Sequence, residues 1–340
     1  MHGHANLRRL LLSLVGVLAA VVLTTATGCG ALPLIAPPTA TPTATPSPTP
    51  TATSTPTATA TPTPTATPSA TPAPLTLSLR LEPEVVPQGQ IGTLIVQPSE
   101  PVTVSATLAG KPLALFPHAG RWYGLIGIWA GTRPASWSLV VTASDPHSGI
   151  AVAEERSLRI GAREFEIERV DMEDSTLSLV LDTDALAKEN SLIAGVVSQR
   201  SPQPLWEGRF VLPVQGEVSS TYGMLRSYNG GPPTDQHGGL DLAADEGVPV
   251  AAANAGRVVL ASRLKVRGNI VIIDHGWGLF TGYYHLSALE VEAGQYVQQG
   301  QTIGRVGSTG FSTGPHLHWA AWVGGSLVDP VQLLERQLPE

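Results

Sequence analysis

The stretch from Gln236 to Trp319 contains three short motifs: His237-Gly-Gly-Leu-Asp241, Thr281-Gly-Tyr-Tyr-His285-Leu and Gly314-Pro-His-Leu-His318-Trp. Four of the nine histidines of the 340-residue chain lie in these motifs, together with one aspartate. Apolar runs such as Asn269-Ile-Val-Ile-Ile-Asp274 lie between the motifs, and glycines stand at nearly every boundary. Short apolar runs without helical patterns between them predict an antiparallel β-sheet or a barrel-like sandwich over residues 209–334.

The motifs carry imidazole and carboxylate groups, which are the usual ligand types for zinc. His316 and His318 are two residues apart, so both point into one cleft if they lie in an extended strand. His237 and Asp241 are four apart and also return to one face, and the glycines between them would let the backbone approach a metal closely. A catalytic zinc site has three protein ligands and one open position. The surplus of candidates indicates that some act as a general base or stabilise a transition state.

Two other classes of protein share parts of this pattern. Thermolysin-like enzymes bind zinc through a His-Glu-x-x-His helix, and that motif does not occur in the sequence. Biotinyl and lipoyl carriers have glycine-spaced hairpins like Gly294–Gly304, but they need a lysine at a hairpin tip, and no lysine lies between Gly268 and Glu340. Isolated strand histidines are more often structural than ligands, and we expect a structural role for His275.

The three motifs, in this order, resemble those of the lysostaphin/LytM-type zinc endopeptidases, which cut bacterial peptidoglycan cross-bridges. The pattern of that family reads His-x-Gly-x-Asp, then Thr-x-Tyr-x-His-Leu, then Gly-x-His-Leu-His. The likeness extends over residues 210–330 and includes Thr221-Tyr-Gly-Met-Leu-Arg226 and Val297-Gln-Gln-Gly-Gln-Thr-Ile-Gly304. The resemblance implies the duplicated hybrid motif fold for the last domain.

The resemblance also implies roles for five residues. His237, Asp241 and His318 would bind one Zn²⁺ ion. His285 and His316 would form the catalytic pair. One of the pair would activate the attacking water, and the other would orient it or stabilise the oxyanion of the tetrahedral intermediate.

The function implied is a zinc-dependent endopeptidase that hydrolyses amide bonds in the peptide cross-links of peptidoglycan. The alternative is a catalytically weak wall-binding or regulatory module, because some relatives of this fold have lost ligands and activate other wall hydrolases. All the motif residues are present here, which favours the enzyme. Ala320 and Ala321 depart from the family, which often has an acidic or amide residue after the aromatic that Trp319 matches. A contact that supports the site is therefore expected to be missing or to come from elsewhere.

The N-terminus has the pattern of an export signal. Arg8 and Arg9 precede an apolar run, Leu10 to Leu23, and the only cysteine follows in Ala26-Thr-Gly-Cys29. This resembles a bacterial lipobox, so we predict a signal peptide over residues 1–29 and a lipid anchor on Cys29; an ordinary cleaved signal or an uncleaved anchor is the alternative. The rest of the chain would be exported, held on the outer face of a bacterial membrane and facing the cell wall. The net charge of -7 and the lack of basic runs argue against a nucleic-acid partner.

Three further segments precede the last domain. Residues 30–74 are dominated by Thr, Pro, Ala and Ser and are predicted to be a disordered stalk. Residues 75–163 contain alternating runs such as Leu75-Thr-Leu-Ser-Leu-Arg-Leu81, which predict an immunoglobulin-like β-sandwich that acts as a spacer or binds a wall polymer. Residues 164–208 are predicted to be a connector with a helix over Thr183–Gln199, capped by Asp184.

Overall fold

The computed structural model describes residues 74–171, 173, 177, 182–233 and 235–338. The predicted signal peptide, Cys29 and nearly all of the predicted stalk lie outside the described residues. The described chain is mainly β and its sheets are largely antiparallel, which confirms the predicted fold class. Within the described ranges, no helix is long and apolar enough to cross a membrane.

The first third of the described chain is a two-sheet sandwich. A four-stranded sheet in the order β1-β3-β7-β6 packs on a five-stranded sheet in the order β2-β9-β8-β4-β5. Alternation explains the packing. Val104 and Ala106 of β4 point inward and are buried, while Thr103, Ser105 and Thr107 are exposed. The strands are β1 (Leu77–Glu82), β2 (Val85–Pro87), β3 (Ile91–Pro98), β4 (Thr103–Leu108), β5 (Lys111–Leu113), β6 (Phe116–His118), β7 (Arg121–Gly127), β8 (Ser136–Ser144) and β9 (Ala151–Gly161).

The connector contributes one strand and one helix, β10 (Ile167–Val170) and α1 (Thr183–Val197). The predicted helix is present, but its cap is Asp182 rather than Asp184. The Asp182 carboxylate accepts the backbone N–H of Ala185 at 2.9 Å and so satisfies one of the free donors of the first turn. Asp184 lies inside that turn, where a negative charge is also favourable.

The last part of the chain is built on an eight-stranded sheet in the order β11-β14-β22-β18-β17-β16-β20, with β23 paired to β22. Two three-stranded sheets, β15-β21-β19 and β10-β12-β13, flank it. The elements are β11 (Glu217–Ser220), β12 (Leu225–Tyr228), β13 (Asp235–Gln236), β14 (Gly239–Ala243), β15 (Pro249–Ala251), β16 (Gly256–Arg263), β17 (Asn269–Gly276), β18 (Leu279–Leu286), β19 (Ala288–Leu289), β20 (Tyr296–Val297), β21 (Thr302–Arg305), β22 (His316–Val323), β23 (Ser326–Val328) and α2 (Gln332–Glu335).

The two faces of the large sheet bury different partners. One face carries Leu317, Trp319 and Tyr283 into the main hydrophobic core. The opposite face carries Ala320 and Trp322, which pack beneath α1. Because β22 alternates, His316 and His318 lie on the face that is partly covered by α1, at the end where the helix leaves an open cleft.

The sandwich has its own interior core, and the outer face of its four-stranded sheet packs into the main core of the large sheet. Phe116 and Tyr123 of the sandwich stack on Trp277, with ring centroids 5.7 and 5.6 Å apart. The backbone N–H of Ile91 donates to Oε1 of Gln332 at 2.8 Å, which ties the sandwich to α2. The sandwich is therefore packed firmly against the rest of the described chain.

Candidate metal centre

The three predicted metal ligands meet at the middle of the large sheet. Asp241 on β14 lies directly opposite His318 on β22, and His237 lies just before β14. Nε2 of His237 is 3.1 Å from Oδ1 of Asp241 and 3.0 Å from Nδ1 of His318. The third side of the triangle, from Nδ1 of His318 to Oδ1 of Asp241, is 2.7 Å. All three side chains are buried or nearly so.

This donor triangle fits a zinc ion. Nitrogen and oxygen ligands bind Zn²⁺ at about 2.0–2.2 Å in a tetrahedral arrangement, which places ligand atoms about 3.3 Å apart. The observed sides of 3.0 and 3.1 Å are within about 0.3 Å of that spacing, and the side of 2.7 Å is about 0.6 Å shorter than it. Two neutral imidazoles and one carboxylate would leave the ion with a net positive charge, which a Lewis acid needs.

The local backbone explains how these ligands come so close. A Cβ built on Gly239 would lie 2.5 Å from the carbonyl oxygen of Trp319 and 2.8 Å from Nε2 of His318, so only glycine fits there. Nδ1 of His237 lies 2.8 Å from the carbonyl oxygen of Thr221. A carbonyl only accepts hydrogen bonds, so Nδ1 carries the hydrogen and Nε2 keeps its lone pair toward the triangle.

Asp241 is held in its charged form. Burial by itself raises the pKa of this carboxyl, but its interactions with His318 and His237 outweigh burial, so the pKa of Asp241 lies well below the usual 3.8. Its second oxygen, Oδ2, accepts a hydrogen bond from Nη2 of Arg226 at 2.6 Å. Oδ1 is thereby left to the two histidines.

His285 and His316 lie beside this triangle. Their ring centroids are 4.9 Å apart, and Nε2 of His316 is 4.0 Å from Oδ1 of Asp241. Nδ1 of His285 donates to the carbonyl oxygen of Thr309 at 2.8 Å, and Nδ1 of His316 donates to that of Gly314 at the same distance. In both rings Nε2 is therefore the nitrogen with a free lone pair.

A β-bulge places His285 in the cleft. Strict alternation along β18 would put Tyr284 and His285 on opposite faces, with His285 in the core beside Tyr283. The pairing register with β17 shifts at this point, and His285 adopts a φ of 61°. Both Tyr284 and His285 consequently line the cleft, while Leu286 returns to the core. Burial, assisted by His316 and His318, lowers the pKa of His285 to about 3, so its ring is neutral at pH 7.

The cleft over these residues has a volume of about 1200 Å³ and draws its walls from several parts of the chain. The connector helix supplies an apolar wall through Leu186, Ile193 and Val197. Phe311 and Tyr228, whose rings are in edge contact at 5.9 Å, also line it. The sandwich contributes Trp129, which is 42% exposed. Residues outside the segment that carries the three motifs thus form part of the cleft wall.

Other residues noted in the sequence take different places. His275 is completely buried; Nδ1 bonds to the carbonyl oxygen of Ala255 and Nε2 to the hydroxyl of Thr281, each at 2.7 Å, which is the structural role expected. Burial lowers the pKa of His275 to about 4. Ala320 packs beneath α1 and makes no polar contact to the ligands, so the support expected near it comes from Arg226.

Two residues near the candidate ligands, Glu168 and Ser220, are not indicated by the sequence. Oε2 of Glu168 receives hydrogen bonds from Nε of Arg226 at 3.0 Å and from the Ser220 hydroxyl at 2.9 Å. Ser220 also lies 3.1 Å from Nδ1 of His237. Neither belongs to a motif, and no periodicity distinguishes Glu168 from its exposed neighbour Glu166.

A family model for peptidase family M23 matches residues 235–330, the segment that holds all five candidate site residues. The chain carries a peptidase family M23 domain. A solved Pseudomonas aeruginosa chain assigned to the same family superposes with a TM-score of 0.54 at 26% identity, covering 73% of this chain and 93% of that one. The M23 likeness in structure therefore reaches upstream of the matched segment.

Two curated relatives of the M23 domain have named activities. The DD-carboxypeptidase/endopeptidase Mpg of Neisseria meningitidis is 46% identical over 97 residues, which are 28% of this chain and 22% of Mpg. The peptidoglycan DD-endopeptidase ShyA of Vibrio cholerae is 42% identical over 103 residues, which are 30% of this chain and 23% of ShyA. The chain thus spans less than a quarter of either relative.

Proposed function

We propose that this protein is a zinc-dependent endopeptidase that hydrolyses amide bonds in the peptide cross-links of peptidoglycan. The observation that carries the proposal is the donor triangle of His237, Asp241 and His318 in one cleft with two further histidines. The naming of M23 relatives as peptidoglycan endopeptidases supports the substrate class. The chemistry of the cleft is suited to amide hydrolysis.

His237, Asp241 and His318 would hold the ion. When bound, Zn²⁺ supplies a Lewis acid that lowers the pKa of water and polarises a carbonyl group. We assign proton acceptance to His316, because its Nε2 lies 4.0 Å from Oδ1 of Asp241, next to the ligand set. The Nδ1–H group of His316 is fixed on a carbonyl oxygen, so the lone pair of Nε2 stays directed into the cleft.

His285 would complete the site. Its Nε2 also carries a free lone pair, and its ring is held by the carbonyl oxygen of Thr309 and by the bulge in β18. A neutral imidazole fixed in this way can orient the attacking water beside His316. Once His316 has accepted a proton, it can donate that proton to the departing amine nitrogen.

A regulatory module without catalysis is the second candidate. Modules of that kind lack one or more of the site residues, whereas the cleft here holds the full set. The complete set of five therefore favours the enzyme.

The remaining domains would deliver this site to the wall. We propose that residues 209–334 are the peptidase domain and residues 75–163 a sandwich domain, joined by the connector 164–208. A lipid on Cys29 would hold the exported protein at a membrane, and the stalk, residues 30–74, would extend from it. About 45 residues in a polyproline-like conformation reach on the order of 140 Å at about 3.1 Å per residue.

The test combines metal content with digestion of purified peptidoglycan. Wild-type protein is expected to bind one zinc ion per chain and to release muropeptides that mass spectrometry identifies as cleaved cross-links. His318→Ala and Asp241→Ala should lose both, since each removes one of three ligands. His147→Ala, which changes an exposed histidine of the sandwich, is the matched control and should keep both. Stoichiometric zinc without cleavage of any cross-linked muropeptide would support the regulatory module instead.

A further inference from the structure

Arg226 lies between two carboxylates, and only one of them is a candidate metal ligand. Its Nη2 donates to Oδ2 of Asp241 at 2.6 Å, and its Nε donates to Oε2 of Glu168 at 3.0 Å. The side chain of Arg226 is 17% exposed, that of Glu168 is 20% exposed and that of Asp241 is 8% exposed. The three charged groups are therefore largely shielded from water. Ion pairs are stronger in such a shielded environment than in bulk water.

A guanidinium at this position acts in two opposing ways on a metal site. By bonding Oδ2 it fixes the rotation of the carboxylate and directs Oδ1 at the triangle. By its positive charge it competes with a cation for the single negative charge of Asp241. A second carboxylate on the guanidinium cancels the competing charge and preserves the hydrogen bond. Glu168 is in the right place to do this.

The backbone explains why Glu168 reaches Arg226. Strand β10 pairs in parallel with β12, and Glu168 lies directly opposite Arg226 in that register. The Ser220 hydroxyl bonds to the same Oε2 and also lies 3.1 Å from Nδ1 of His237. Glu168 is thus one contact away from two of the three candidate ligands. It belongs to the connector, outside residues 235–330 that match the M23 family.

We propose that Glu168 is a positioning residue for the metal ligands, supplied to the M23 domain by the upstream connector. It holds Arg226 against Asp241 and neutralises the guanidinium, so that Asp241 keeps its charge available for a divalent cation. The inference rests on the proposed function in that it takes the triangle to be a zinc site. It adds that the site is incomplete without a strand that precedes the matched segment.

The test measures zinc affinity of the full chain by competition with a chromophoric chelator. Glu168→Gln is expected to weaken zinc binding about tenfold or more, as changes to residues that support metal ligands commonly do. Glu168→Asp, which keeps the charge, should retain most of the affinity. Glu166→Gln removes the same charge from an exposed position two residues away and should change affinity less than about twofold.

A double-mutant cycle separates this role from a general loss of structure. In Arg226→Gln the competing positive charge is gone. Adding Glu168→Gln to that variant should therefore weaken zinc binding by less than about threefold. Thermal unfolding of all variants in excess chelator reports the fold without metal. Equal zinc affinity of Glu168→Gln and wild type, or losses that are multiplicative across the cycle, would overturn the inference while leaving the proposed function standing. A wild-type chain that binds no zinc would overturn both.

Discussion

At the scale of single residues, the hydrogen-bond partner of Nδ1 sets the direction of each imidazole ring. His237, His285 and His316 each place Nδ1 on a backbone carbonyl, so each offers Nε2 to the cleft. His318 differs, because its Nδ1 faces Asp241. These contacts fix the direction of each ring, which is the preorganisation that the proposed catalysis needs.

His275 is buried, and both of its ring nitrogens are hydrogen-bonded within the fold. Its burial predicts how the stability of the protein depends on pH. Its pKa is about 4 in the folded protein and near 6.5 when unfolded, so below pH 6.5 the unfolded chain binds the extra proton. Above pH 6.5 His275 is neutral in both the folded and the unfolded chain, so its contribution to the free energy of unfolding is at its full value. It falls by about 1.4 kcal/mol per pH unit as the pH drops toward 4.

The measurement is urea unfolding in excess chelator at several pH values between 7.5 and 4.5. His275→Gln, which cannot titrate, should be less stable than wild type at pH 7.5, and the difference should shrink as the pH falls below 6.5. His147→Gln changes an exposed histidine of the sandwich and is the control for removing an imidazole. A gap between His275→Gln and wild type that does not change with pH would contradict the assignment.

At the scale of elements, helix α1 covers part of the sheet face that carries the site. Ala320 lies opposite Gly239 on one neighbouring strand and Gly282 on the other. These small residues make a shallow region of the sheet, and Ile193 and Val197 of α1 belong to the apolar cluster that fills it. The alanine that departs from the M23 pattern thus suits a surface that a helix covers.

Glu189 fastens α1 to the sheet and gives a second prediction. Its carboxylate accepts the backbone N–H of Val266 at 2.7 Å and pairs with Nη1 of Arg267 at 3.0 Å. Arg267 in turn lies over the ring of Tyr284, which stacks on His318. Glu189→Ala should lower the free energy of unfolding by about 3 kcal/mol, because it leaves a buried donor and a cation without their partner.

Denaturant unfolding checks the size of this effect, and amide hydrogen exchange checks its place. Exchange should accelerate across α1 before it does so in the central strands. Lys188→Ala, an exposed neighbour on the same helix, should change stability by less than about 0.5 kcal/mol. If α1 in Glu189→Ala stays as protected as in wild type, Glu189 does not anchor the helix.

At the scale of the whole molecule, the sandwich packs against the M23 domain through a shared hydrophobic core. Phe116 and Tyr123 on the sandwich side stack on Trp277, and an ion pair of 3.0 Å links Arg163 to Asp329. A core that crosses the boundary couples the unfolding of the two halves. The sandwich also places Trp129 at the rim of the cleft, so docking shapes the site as well as the fold.

Calorimetry tests this coupling. Wild-type protein should unfold in one transition over both halves, and Phe116→Ala should move that single transition down, with a loss of about 3–5 kcal/mol. Ile150→Ala, at a 49% exposed position of the sandwich, should leave it almost unchanged. Two resolved transitions, only one of which responds to Phe116→Ala, would show that the halves unfold independently.

The sequence by itself determined the features that depend on local periodicity and residue type. Alternation predicted the strands, and a spacing of two predicted that His316 and His318 share a face, because side chains in a strand repeat every second residue. The motifs also contain His237, Asp241, His285, His316 and His318, all of which line one cleft in the structure. Each of these features depends on residues close together in the chain.

Only the tertiary structure decided the features that depend on pairing between distant segments. Parallel pairing of β10 with β12 brings Glu168 to Arg226, and a register shift against β17 turns His285 out of the core. The cap at Asp182 instead of Asp184 is a smaller case, set by where the chain enters the helix. No local pattern marks Glu168 in its strand, so its place beside the candidate metal ligands follows from strand register alone.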